Sequence, residues 1–103
     1  MGCEIRTIRR FRKEAKRLMK KYPSLQYELI ALEKELMHHP QTGTPIGKNC
    51  FKIRIAIKSK GKGKSGGARI ISHLISVAEE RIISRLYLLT IYDKSEFATI
   101  DKN

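Results

Sequence analysis

The apolar residues of this chain change their period along its length. Between residues 9 and 22, Phe11, Ala15, Leu18 and Tyr22 recur at three- and four-residue steps, which is the stripe of an amphipathic helix. Pro23 ends that helix, because the residue before a proline is pushed toward extended geometry. Ser24 then stands where a helix N-cap belongs. Leu25, Leu29, Leu32 and Leu36 follow at helical spacing until the chain reaches His39-Pro40. Two helices joined by so few residues predict a helical hairpin.

Residues 41–47, with two glycines, two threonines and a proline, read as a loop. Beyond them the period falls to two. Phe51, Ile53, Ile55 and Ile57 alternate with Lys52, Arg54, Ala56 and Lys58, so the first set can face a core while the cations share the other face. Strands are predicted over residues 50–58, 68–77 and 84–92, with a weaker short strand at 3–8. The last of the three is apolar on both faces for most of its length, the mark of a central strand. Helices first and strands afterwards give an α+β domain spanning 1–103. The expected architecture is an N-terminal helical hairpin packed on one face of a small antiparallel β-sheet.

Charge sharpens this picture. The formal net charge is +12, from 22 Lys and Arg against 10 Asp and Glu. Between Glu35 and Glu79 there is no acidic residue, yet this window holds Lys48, Lys52, Arg54, Lys58, Lys60, Lys62, Lys64 and Arg69. Successive same-face positions of a strand lie about 6.6 Å apart, a useful spacing for cations that meet a polyanion backbone. A hairpin would bring Arg69, at the opening of the next strand, beside Lys52, Arg54 and Lys58. Lys60, Lys62 and Lys64 stand in the glycine-rich stretch between those strands. Arg10, Lys13 and Arg17 belong to the crowded cationic side of the first helix. For any one of the helix cations a solvated surface is the simpler reading, and the loop lysines could serve only to keep a sheet edge from aggregating. Arg69 could simply pair with a carboxylate. Convergence of four cations without a nearby acid has no such reason, since it costs stability. The partner this implies is nucleic acid.

Other chemistry finds less support. Gly63-Lys64-Ser65 looks like the end of a phosphate-binding loop, but position 58, where the first glycine belongs, holds Lys58, and a strand follows rather than a helix. His38 and His39 are adjacent, so on a helix they diverge by about 100° and make a poor metal pair. No cofactor is expected. No apolar run approaches the roughly 20 residues that span a bilayer, and the N-terminus lacks the apolar core of a secretory signal. Cys3 and Cys50 then read as free thiols in a cytoplasmic protein.

Three phrases carry a family resemblance. Lys20-Lys21-Tyr22-Pro23-Ser24-Leu25, then Lys52-Ile53-Arg54 running through the glycine-rich loop to Arg69-Ile70-Ile71, then Leu86-Tyr87-Leu88-Leu89-Thr90-Ile91-Tyr92-Asp93-Lys94-Ser95-Glu96, stand in this order from about Phe11 to Glu96. Together they resemble the RelE/HigB-type toxins of bacterial type II toxin–antitoxin modules. The resemblance implies a microbial-RNase-like fold of the RelE/ParE type and a translation-dependent endoribonuclease that cuts messenger RNA on the ribosome without a metal. It also implies a cognate antitoxin protein. By motif, Lys52 and Arg54 match the family's paired basic positions, Arg69 the arginine opening the next strand, and Lys94 the basic residue after the last strand.

Metal-free cleavage uses the RNA 2′-hydroxyl as nucleophile, so the enzyme must move protons and stabilise added charge on the phosphate. Arginine offers a fixed fork of donors for that charge. A lysine can serve as base when positive neighbours favour its neutral form, and Lys52, Lys58 and Lys94 have such neighbours. Arg54 stands where several relatives carry lysine, and a guanidinium is a poor proton acceptor. The tyrosine some relatives place after the last strand has no counterpart at Phe97, Ala98 or Thr99, which leaves Tyr92 or His73 to substitute. Two alternatives remain: a ParE-like toxin that poisons DNA gyrase on the same fold, and a non-catalytic basic module that binds RNA or ribosomes.

Overall fold

In the computed structural model, residues 2–60, 67–77 and 82–96 are described. The elements are β1 (Gly2–Thr7), α1 (Arg9–Lys21), α2 (Leu25–His38), β2 (Thr44–Gly47), β3 (Cys50–Ile55), a 3₁₀ turn (Lys58–Lys60), β4 (Ala68–Ser76) and β5 (Ile82–Asp93). They form an α+β domain with one five-stranded sheet in the order β1-β5-β4-β3-β2. No helix among the described residues is long and apolar enough to cross a membrane.

The sheet departs from expectation in being mixed. The β2·β3, β3·β4 and β4·β5 pairs are antiparallel, whereas β1 runs parallel to β5. Strands joined by tight turns must reverse direction. The first and last strands are not joined that way, so no local turn dictates their sense. β5 lies between β1 and β4, as its apolar character on both faces predicts.

Residues 44–47, read as loop, form the edge strand β2. Lys48 and Asn49 take positive φ values of 54° and 59°, the left-handed pair that closes a two-residue hairpin with the twist strands prefer. The signal was hidden because lysine rarely occupies such a position. A second departure follows Ile55, where β3 ends. Ile57 plunges into the core with no exposure, and the chain then winds into the 3₁₀ turn. Lys58 therefore leaves the line of Lys52 and Arg54.

One core unites helices and sheet. Phe11, Ala15 and Leu18 of α1 and Leu25, Leu32 and Leu36 of α2 cluster with Ile53, Ile55, Ala68, Ile70, Leu86, Leu88 and Ile91. Full burial of each large aliphatic among them is worth about 1.5–3 kcal/mol. Ser24 occupies the cap position of α2 but makes no side-chain cap bond. Its hydroxyl instead meets the Ser59 hydroxyl at 2.9 Å and donates to Glu28 Oε1 at 3.2 Å.

A bulge decides which side chains reach the far face. Ile71 faces Thr90 but Ser72 faces Leu88, so β5 carries one residue more than β4 at Leu89. Before the bulge Leu86 and Leu88 point inward; after it Ile91 and Asp93 do. The inserted residue turns Tyr92 onto the same face as Arg69 and sends the Asp93 carboxylate into the interior.

Candidate nucleic-acid interface

Across three adjacent strands, Arg54 stands directly opposite Arg69 and Arg69 directly opposite Tyr92. This row lies on the face of the sheet turned away from the core. One same-face step along, about 6.6 Å away, Lys52 faces Ile71, and one step further Cys50 faces His73. Directly paired residues on one face have Cβ atoms about 4.5–5.5 Å apart, and like charges so placed repel. Arg54 is exposed, Lys52 half-buried, and Arg69 only 4% exposed, with its Nη1 donating to the Ala68 carbonyl at 3.3 Å.

The approach to β4 is tightly built. A Cβ at Gly67 would collide with the Ile55 carbonyl oxygen, so only glycine lets the two strands close here. The Lys94 amide donates to the Gly67 carbonyl at 3.4 Å, which sets the exposed Lys94 beside the entry to β4. Arg54, Arg69, Tyr92 and Lys94 thus gather at one end of the sheet.

The acid-free window of the sequence does not survive folding, because acids arrive from elsewhere. Lys60, expected on a loop reaching for phosphates, points its ammonium at Asp93 Oδ1, 2.6 Å away, with 10% of its side chain exposed. Asp93 is fully buried and accepts from the Tyr22 hydroxyl at 2.7 Å and the Ser95 hydroxyl at 2.7 Å. Burial pushes the Asp93 carboxyl up, but the bonds from Lys60, Tyr22 and Ser95 outweigh it and hold the group well below the usual carboxylate range. The same bond to Asp93, helped by burial, raises the Tyr22 phenol. The Lys58 amide donates to Glu28 Oε2 at 2.7 Å while its side chain stays exposed. So Lys60 is a structural residue, and Lys58 stands in solvent apart from the strand cations.

On α1, Arg10 and Lys13 are exposed. Arg17 is engaged by Glu96 at 2.7 Å and Glu14 at 3.1 Å. Its bonds to Glu96 and then Glu14 raise the guanidinium further, and Arg17 with Lys21 lowers Glu96. Arg10 and Arg17 border a groove of about 440 Å³ that also touches Tyr92 and Asp93, whereas Lys13 does not line it. Lys62 and Lys64 lie outside the described residues.

What a scan for cations passes over is the Tyr22–Asp93–Lys60–Ser95 cluster and the Cys50–His73 pair. Both depend on strand register, and the only sequence trace is Asp93 as a lone acid closing an apolar strand. No protein-family model matches the chain.

Proposed function

We propose that this chain is a RelE/HigB-type toxin: a metal-independent endoribonuclease that cuts messenger RNA on the ribosome and is held in check by a cognate antitoxin. Its helices would then form the hairpin of the RelE/ParE-type arrangement, on one face of the sheet. The observation that carries the reading is the row Arg54, Arg69, Tyr92 with Lys52 one step away, a cationic face opposite the core. Two arginines side by side suit a phosphate that gains charge as the 2′-oxygen attacks and the 5′-oxygen leaves. Lys52, Lys94 and Tyr92 stand within the same end of the face and supply the groups that can move protons.

The test is induction of the full chain, without any partner, from a tightly repressed promoter. Growth should stop because translation stops, and messenger RNA should acquire new 5′-hydroxyl ends. Normal growth with abundant soluble protein would sink the proposal. Replication arrest with intact messenger RNA would point to the gyrase-poisoning relative, and ribosome binding without new ends to a non-catalytic module.

Long-range capture is expected to fall to Lys62 and Lys64 on their charge alone. Replacing both with serine, and leaving Lys60 in its buried ion pair, should flatten the salt dependence of ribosome binding by up to about 0.7–0.9 log units per lysine. Single-turnover cleavage at saturating ribosome should hold. A lost single-turnover rate with unchanged binding would place these lysines in the chemistry instead.

A further inference from the structure

The face that carries the arginine row also holds a nucleophile beside a base. Cys50 and His73 are direct partners across β3 and β4, with Cys50 Sγ 3.3 Å from His73 Nδ1. Both are half-buried, so the pair is open to a small reagent. Lys52 shares the face one step from Cys50, and Arg54 one step beyond. Reactive thiols sit in such partly exposed, electropositive surroundings, whereas buried thiols are inert. Cys3 offers the contrast within the same molecule: it is 8% exposed and its thiol meets the Glu4 carbonyl at 3.8 Å, whereas Cys50, which also meets the Lys48 carbonyl at 3.6 Å, has an imidazole beside it.

We propose that Cys50 and His73 form a reactive thiol–imidazole pair at which an anionic small-molecule disulfide is exchanged onto Cys50. With His73 protonated at Nε2, the Cys50 thiol donates to Nδ1, and its proton moves to the imidazole along that bond. The thiolate attacks one sulfur of the disulfide. A bond forms between the two sulfurs as the reagent's own S–S bond breaks, and the departing thiolate recovers the proton from the imidazolium. Cys50 is oxidised to a mixed disulfide while half of the reagent leaves as reduced thiol. The cations nearby favour an anionic reagent over a neutral one of the same size.

The probe is dithiobis(nitrobenzoate), applied to the folded full chain, with the labelled site assigned by peptide mass. Cys50 should react about tenfold or more ahead of Cys3, and Cys50→Ser should remove the fast phase. His73→Gln should slow that phase about tenfold, and in His73→Ala added free imidazole should restore part of the rate. A neutral aromatic disulfide should show less of the advantage. Equal labelling of the two cysteines would overturn the proposal. So would a folded His73→Gln protein that reacts at the parent rate, or a His73→Ala protein that is slowed but unresponsive to imidazole. None of these outcomes depends on whether the chain cleaves RNA.

Discussion

On the proposed endoribonuclease activity, replacing Arg69 with lysine is expected to lower the single-turnover rate of RNA cleavage about 10²–10³-fold while net charge and fold are kept. Arg69 is 4% exposed, with Arg54 on one side and Tyr92 on the other. A guanidinium held at that depth keeps a fixed plane, and the fork geometry of a guanidinium matches two oxygens of a phosphate. A lysine ammonium keeps the charge but offers a point rather than a fork. Lysine is a sharper test than alanine, because alanine would also empty a buried position and confuse folding with chemistry. Binding of uncleaved RNA should fall far less than the rate, since the missing interaction is strongest in the transition state. The measurement is rapid-quench cleavage at saturating ribosome, paired with a thermal melt. A folded Arg69→Lys protein that cleaves at the parent rate would remove Arg69 from phosphate stabilisation. Arg54→Lys should cost less, because Arg54 is exposed and its head is less firmly aimed.

The helices were legible because a single stripe recorded each of them: Phe11, Ala15 and Leu18, then Leu25, Leu32 and Leu36, are the residues that became buried. The strand at 50–55 announced itself by alternation, and the one at 68–76 only as a β-like run opening with Arg69. What failed needed information from distant chain. The direction of β1 depends on a partner some eighty positions away, and the hairpin at Lys48-Asn49 opens on a lysine, which rarely takes left-handed backbone, although asparagine readily does. The bulge at Leu89 was invisible because leucine follows leucine there, so the change of face leaves no mark in the hydrophobic pattern.

The candidate site divides along the same line. Lys52, Arg54 and Arg69 share a face because alternation and one hairpin suffice to put them there. Lys58 and Lys60 do not follow, since the chain leaves the strand after Ile55 and winds into a short turn. Lys60 looked free because its acid, Asp93, stands thirty-three positions away and is turned inward only by the bulge. Counting charges along a sequence does not reveal which cation folding matches with a distant carboxylate.

Asp93→Asn is therefore expected to be among the most destabilising single changes in the chain, at about 3–5 kcal/mol, the usual cost of breaking a buried ion pair from one side. The Lys60 ammonium would be left at 10% side-chain exposure without its counter-charge, and the Tyr22 and Ser95 hydroxyls would lose a charged acceptor. The cluster also joins the junction between α1 and α2, the 3₁₀ turn and the end of β5, so its loss should loosen the end of the sheet where Arg69 and Lys94 lie. Tyr22→Phe removes one of the bonds and should cost about 1.5–3 kcal/mol, as expected for a hydrogen bond to a charged group. Lys60→Met combined with Asp93→Asn should recover part of the loss, because no buried charge is then stranded. The sign of the pH dependence follows from the carboxyl being held below its ordinary range. Its contribution is complete above the ordinary carboxylate range and fades as the pH falls below it, because the unfolded chain takes up the proton first. Denaturant midpoints measured down a pH series should show that acid limb in the parent and a shallower one in Asp93→Asn. Added salt separates this cluster from the exposed Arg17–Glu96 and Lys21–Glu96 pairs, which screening weakens far more than a buried pair. If Asp93→Asn melts within about 1 kcal/mol of the parent, or the acid limb is unchanged, then Asp93 and Lys60 do not hold the sheet end together.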